Sequence, residues 1–163
     1  ILPAMLLRRS LLLEHAIHAP AGCRFSEDVY VMWHIFAAAE QISYTTAPLY
    51  NYLMRPTSTM AASSAGRILT GYTAFRALLD QTDFLACFSE RKWILPRWVL
   101  GALNSTARIS DYSDFMAVAE QMDYRRCMKA LEHFPEWKAR LLSRLLLISP
   151  KLYHQLLHRR SNA

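Results

Sequence analysis

Beyond Ala61 the sequence loses every run of β-branched and aromatic residues, and only four glycines interrupt its 163 residues. Long stretches of Leu, Ala, Arg and Glu with so little glycine favour helix, because these side chains lose little freedom on a helical backbone. Helices are expected over Ser63–Leu79, Trp93–Ile109, Ser113–Leu131 and Pro135–Ile148, separated by Asp80–Asp83, Ser89–Lys92 and Ser110–Tyr112. A last helix should begin at Ser149-Pro150, where a capping serine precedes a proline at the first helical position. On it, Leu152, Tyr153, Leu156 and Leu157 fall on one side and Lys151, His154, Gln155 and His158 on the other. The helix before it repeats the pattern, with Leu141, Leu142, Leu145 and Leu146 against Arg140, Ser143 and Arg144.

The first third of the chain is different. Arg8–Ile17 has helical spacing, with Leu11, Leu12 and His15 on one face, and His18–Phe25 is a loop punctuated by Pro20 and Gly22. Ser26 is a suitable N-cap, which places Glu27 and Asp28 in a first turn where the helix dipole favours negative charge. Val29, Met32, Trp33 and Phe36 follow at helical spacing and should face a core. Ile42–Thr46 and Leu49–Met54, separated by Ala47-Pro48, are rich in β-branched and aromatic residues and predict two short strands or extended segments. The shift in composition near Thr57–Ser64 divides the chain into an α/β segment, residues 1–60, and a helical region, residues 61–163.

With 53% apolar and 20% charged residues the chain is a folding sequence rather than a disordered one. Its net charge of +6 points to acidic partners: anionic headgroups, nucleotide diphosphates or nucleic acid. The basic residues are scattered and carry no nucleic-acid motif, which ranks that partner last. Cys23, Cys87 and Cys127 are widely spaced and odd in number, so neither a disulfide framework nor a zinc knuckle is indicated and a reducing cytoplasm suits them. No apolar run reaches the length of a membrane span. The order of ILPAMLL before Arg8-Arg9 is the reverse of a secretion signal. The start at Ile1 fits a truncated frame or an excised domain.

Several short pieces stand in a recognisable order: Arg9-Ser10-Leu11-Leu12, a turn with Pro20 and Gly22, Glu27-Asp28 opening a helix, Ile42-Ser43-Tyr44, Pro48-Leu49-Tyr50-Asn51-Tyr52, and Arg55-Pro56-Thr57-Ser58. This order resembles the acceptor-side half of bacterial family 2 glycosyltransferases of the GT-A fold, over roughly residues 6–60. The resemblance implies an α/β fragment of a Rossmann-like GT-A domain followed by a mostly helical C-terminal region. It also implies that the donor-binding half, with the D-x-D motif and its Mg²⁺ or Mn²⁺, precedes Ile1. The whole enzyme would transfer a sugar with inversion from a nucleotide donor, such as a UDP-sugar, to a hydroxyl on a surface glycan or lipid-linked acceptor.

Inverting transfer needs a carboxylate that takes the acceptor's proton as its oxygen attacks the anomeric carbon. The resemblance gives that role to Asp28, with Glu27 positioning the acceptor. Arg55 and Ser58 suit the charge that develops on a departing nucleoside diphosphate, and Tyr50 and Tyr52 alternate with Leu49 and Leu53 so that one pair can face a sugar. Each group also has a plainer use. Two acids behind a serine stabilise a helix dipole, an arginine before Pro56 can be a solvated turn residue, and tyrosines pack in cores.

Other groupings lead nowhere specific. His15, His18 and Cys23 lie partly in a loop and form no metal set. His34 fits a polar edge of the core better than a second base. Arg97-Trp98 matches the end of the Q-x-x-R-W motif of processive synthases, but Ile94 stands in place of the glutamine. Asp111-Tyr112-Ser113-Asp114 is one residue too long for D-x-D. The basic amphipathic end either lies on an anionic membrane, at the inner face of the cytoplasmic membrane, or packs on the rest of the helical region. The alternative to an enzyme is a non-catalytic helical module that binds a partner or membrane.

Overall fold

The protein is described by a computed structural model over residues 5–51, 64–80 and 90–161. Among these residues the regular elements are all helices: α1 (Arg9–Glu14), α2 (Glu27–Ala38), α3 (Ala65–Asp80), α4 (Arg91–Ile109), α5 (Tyr112–Gln121), α6 (Tyr124–Ala130), α7 (Trp137–Ile148) and α8 (Pro150–Ser161). No strand or sheet occurs among the described residues, so the expectation of an α/β, Rossmann-like fragment is overturned. Ile42 and Leu49 are exposed, at 59% and 81%, in backbone without regular structure. The reason is physical. A β-branched run becomes a strand only when a neighbouring strand takes up its hydrogen bonds and a layer covers its face, and a lone pair is marginal in water. Residues 52–54 of the second expected strand lie outside the described residues.

Helix α4 is the axis of the molecule. It touches α3, α5, α6, α7 and α8, and Val99, Leu100, Ala102, Leu103, Thr106 and Ala107 are buried along it. Thr106, fully enclosed, satisfies its hydroxyl by donating to the Ala102 carbonyl at 2.9 Å. Around this rod Ile68, Phe115, Met122, Tyr124, Met128, Leu131, Leu146 and Tyr153 complete one continuous core. A smaller cluster, Phe75 and Ile94 with Val29, Tyr30, Trp33 and Trp98 against them, joins α2 to α3 and α4.

The expected helix over Ser113–Leu131 is two helices. Asp123 takes a left-handed backbone, φ 48°, which ends α5 and starts α6 in a new direction. Two amphipathic faces are also rotated from their expected setting. On α8 the buried residues are Tyr153, His154 and Leu157, while Leu152 and Leu156 are exposed. On α7 they are Ala139, Ser143 and Leu146, while Leu141 is exposed. On α8 polar groups reach across to α4 and its end, while on α7 the inward Ser143 is satisfied within its own helix. Ser143 donates to the Arg140 carbonyl at 2.9 Å, and Tyr153 donates from its hydroxyl to Asn104 Oδ1. The His154 and His158 rings reach the Ser110 and Ala107 carbonyls, at 3.0 and 3.3 Å. Helix α8 therefore supplies donors to the otherwise unpaired carbonyl end of α4.

Among the described residues the Tyr124 hydroxyl finds no hydrogen-bond partner although the residue is fully enclosed. An unsatisfied buried hydroxyl costs about 1–3 kcal/mol, so Tyr124→Phe should leave stability unchanged or raise it by about 1 kcal/mol. A urea midpoint lower than that of the parent chain, at equal slope, would contradict this.

Candidate functional site

The acidic pair opens α2 as expected, but the cap works differently. Ser26 has a left-handed backbone, φ 58°, and its hydroxyl caps nothing. The Asp28 carboxylate instead accepts from the Val29 amide at 2.8 Å. A non-glycine residue in this region stores roughly 1–3 kcal/mol, which the surroundings must offset. They do so through α3. The Arg67 guanidinium donates from Nε and Nη2 to the Arg24 carbonyl at 3.2 and 2.8 Å, and the Arg24 amide donates to Thr70 Oγ1 at 2.9 Å. Gly71 completes the clamp. A Cβ there would stand 2.5 Å from the Phe25 carbonyl oxygen and 2.8 Å from Trp98 Cζ2. The two residues before Ser26 thus lie directly on the backbone of α3.

Beyond this anchor α2 turns its inner side to the small cluster. Val31 and Ile35 are its buried residues, rather than the expected row of Val29, Met32, Trp33 and Phe36. Val29 and Trp33 are half-buried and border an open groove of about 610 Å³. Phe25, Phe75, Trp93, Trp98 and Phe134 supply most of its remaining wall, with Ser26, Glu90, Arg97 and Ser105 as polar points. Phe75 and Trp98 stack at 4.9 Å, and Phe25 meets Trp98 edge-on at 6.0 Å. Glu27 and Asp28 are not in the wall itself. They occupy the same first turn as Ser26 and Val29, on its adjoining sides, with Glu27 exposed and Asp28 half-buried.

Of the other expected site residues, Tyr50 is 47% exposed in irregular backbone and packs on no core. Tyr52, Arg55 and Ser58 lie outside the described residues. The groove and the clamp were both missed at the sequence level. The only available signal for the clamp was a glycine, Gly71, in the middle of an otherwise good helix, where it must have a packing reason.

The groups set aside as unspecific have structural roles. Arg97 pairs with Glu136 at 3.4 Å, and Trp98 packs on Gly71 and Phe75. Asp111 caps α5, accepting from the Asp114 amide and the Ser113 hydroxyl, both at 2.9 Å, and these bonds hold its carboxyl below the usual range. The His18 ring lies 3.2 Å from the Ala19 carbonyl, and Cys23 Sγ donates to the Phe25 carbonyl at 3.3 Å. Burial pushes the Cys23 thiol up, with Glu27 adding to the effect, so it stays protonated. Burial lowers His34, whose ring lies 4.8 Å from that of Tyr30.

A divalent cation of the kind the resemblance implies needs converging carboxylates. Among the described residues no group of three or more His, Cys, Asp or Glu is placed to hold a metal. These residues do not fit such an ion, and no step below runs through one. Among them, too, no helix is long and apolar enough to cross a membrane. Compared with known proteins, the chain matches no protein-family profile, no curated protein and no solved structure.

Proposed function

We propose that this chain supplies the acceptor side of an inverting glycosyltransferase, with Asp28 as general base. The observation that carries the proposal is an acidic pair on a clamped helical turn beside an aromatic groove. The ordered motifs of residues 6–60 add the reaction class. Aromatic faces stack on pyranose rings and also accept the apolar part of a lipid-linked acceptor, while the acids on the adjoining sides of the turn supply a proton acceptor. The Asp28 carboxylate takes the proton of the acceptor hydroxyl as that oxygen bonds to the anomeric carbon. The bond from that carbon to the nucleoside diphosphate breaks, and the diphosphate departs with the electron pair. Glu27, more exposed, orients the acceptor.

In this proposal the fold around the acids is helical, and the nucleotide sugar, such as a UDP-sugar, is held by residues outside this chain. Surface glycan or lipid-linked acceptors place the reaction in the cytoplasm or at the inner face of its membrane. Turnover by the enzyme that carries this chain, measured with Asp28→Asn, tests the assignment.

A second role is favoured by one specific observation. The rotated registers of α7 and α8 leave Trp137, Leu141, Ile148, Leu152 and Leu156 in water, at 45–82% exposure, among Lys138, Arg144 and Lys151. Such a surface suits peripheral contact with anionic lipid, as a helical docking module with or without catalysis. Vesicle flotation should recover several-fold more protein with anionic than with neutral lipid, and the preference should fade with added salt, since each nearby Lys or Arg contributes about 1 kcal/mol. Equal recovery on both lipids would remove this role.

A further inference from the structure

On the far side of α3 and α4 from the acids' anchor lies a second cavity, of about 350 Å³, near the lower end of the ~300–1,000 Å³ common for small-ligand sites. Its described lining holds four cationic side chains, Arg76 of α3, Arg91 and Lys92 of α4, and Arg126 of α6, against one carboxylate, Asp123. Cations from three helices share this small space, with Lys92 Nζ also 4.6 Å from the centroid of the Trp93 ring. The first turn of α4 makes this more marked. It carries Arg91 and Lys92 and no acid, at the end of the helix where the backbone dipole is already positive.

The remaining lining keeps the cavity cationic. Burial pushes the Cys127 thiol up to about 11, so it adds no negative charge near neutrality. The Tyr72 hydroxyl accepts from Arg76 Nη1 at 3.5 Å, which leaves its own proton available to a further acceptor. Arg91, Lys92 and Arg126 are exposed at the surface, so a ligand can reach them.

From this convergence of guanidinium and ammonium groups around a small cavity we infer a binding site for a phosphate or pyrophosphate group. Planar guanidinium groups match phosphate oxygens two at a time, and an ammonium adds a point charge. A ligand held by α3, α4 and α6 at once should also hold these helices together. Neither the acids of α2 nor the aromatic groove contributes to it, and it stands or falls apart from sugar transfer.

The phosphate could be borne by a soluble molecule or by a lipid headgroup, and two probes separate them. Sodium pyrophosphate is titrated calorimetrically into the chain at fixed ionic strength, and flotation is run with vesicles containing phosphatidate. Both are repeated with Arg91→Gln/Arg126→Gln and with Arg108→Gln, a cation elsewhere on α4. Saturable pyrophosphate binding that weakens at least tenfold in the double variant, and less than twofold in Arg108→Gln, supports a soluble ligand. Phosphatidate binding lost only in the double variant supports a lipid headgroup. Binding of neither probe, or binding that the double variant leaves intact, overturns the site. Should the double variant lose its helical circular dichroism, Arg126→Gln alone is read by the same criterion with a threefold threshold.

Discussion

Asp28→Asn is expected to lower kcat by about 10²–10⁴-fold, the range that general-base catalysis supplies, in the enzyme that carries this chain. Asn has the size of Asp, and its side-chain oxygen can still accept from the Val29 amide, the 2.8 Å bond that Asp28 makes at the start of α2. The first turn should therefore keep its geometry, and the loss should appear in kcat with donor affinity and thermal stability nearly unchanged. Glu27→Gln should be milder if the exposed Glu27 has the orienting role proposed for it. If the two acids served the helix dipole alone, both variants would stay active and lose only about 0.3–1 kcal/mol of stability. A purified Asp28→Asn enzyme with near-parental kcat would take the base out of the mechanism.

Gly71→Ala should destabilise the protein, although alanine is the better helix former by roughly 0.8–1 kcal/mol. The new methyl would stand 2.5 Å from a backbone oxygen, that of Phe25, and 2.8 Å from the Trp98 ring. A backbone oxygen cannot swing aside as a flexible side chain would. Either α3 separates from residues 24–25 or Trp98 leaves its stack on Phe75, at a typical overpacking cost of about 1–3 kcal/mol. Both outcomes move the turn that bears Asp28, so catalysis should fall along with stability. Gly66 provides the control on the same helix. Nothing lies within 4 Å of its added methyl, and Gly66→Ala should be neutral or stabilising by up to about 1 kcal/mol. Chemical denaturation of the two variants side by side decides the matter. Equal effects of the same sign would mean that close approach at Gly71 is not what anchors α2.

Local signals were legible where one element decided its own conformation. The start of α2 at Glu27 follows from acids suited to a first turn, that of α8 from Ser149-Pro150, and the helices over Ala65–Asp80 and Arg91–Ile109 from composition. What failed depended on partners distant in sequence. Leucine stripes on α7 and α8 are wider than one buried face, so they could not reveal that Ser143, Tyr153 and His154 face inward. On α8 the Asn104 and Ser110 groups that Tyr153 and His154 meet favour that choice, whereas Ser143 is satisfied within α7 by the Arg140 carbonyl. Ile42 and Leu49 carry strand propensity with no strand to pair among the described residues, and propensity alone does not hold a strand in water. At the candidate site the acids were visible as a motif, whereas the groove assembles from Phe25, Trp33, Phe75, Trp98 and Phe134, spread over four stretches of chain.

The clamp between Arg24 and Arg67 joins residues 43 positions apart. It means that the acidic turn is tied to a helix downstream in the sequence. Residues 41–51 are exposed throughout. Loop-closure entropy rises only slowly with length, by about 0.6 kcal/mol for each doubling. That stretch can therefore lengthen, shorten or change its side chains over evolution while the carboxylates stay where they are. Were the proposed transfer its activity, the position of the base would be insulated from change in that exposed stretch.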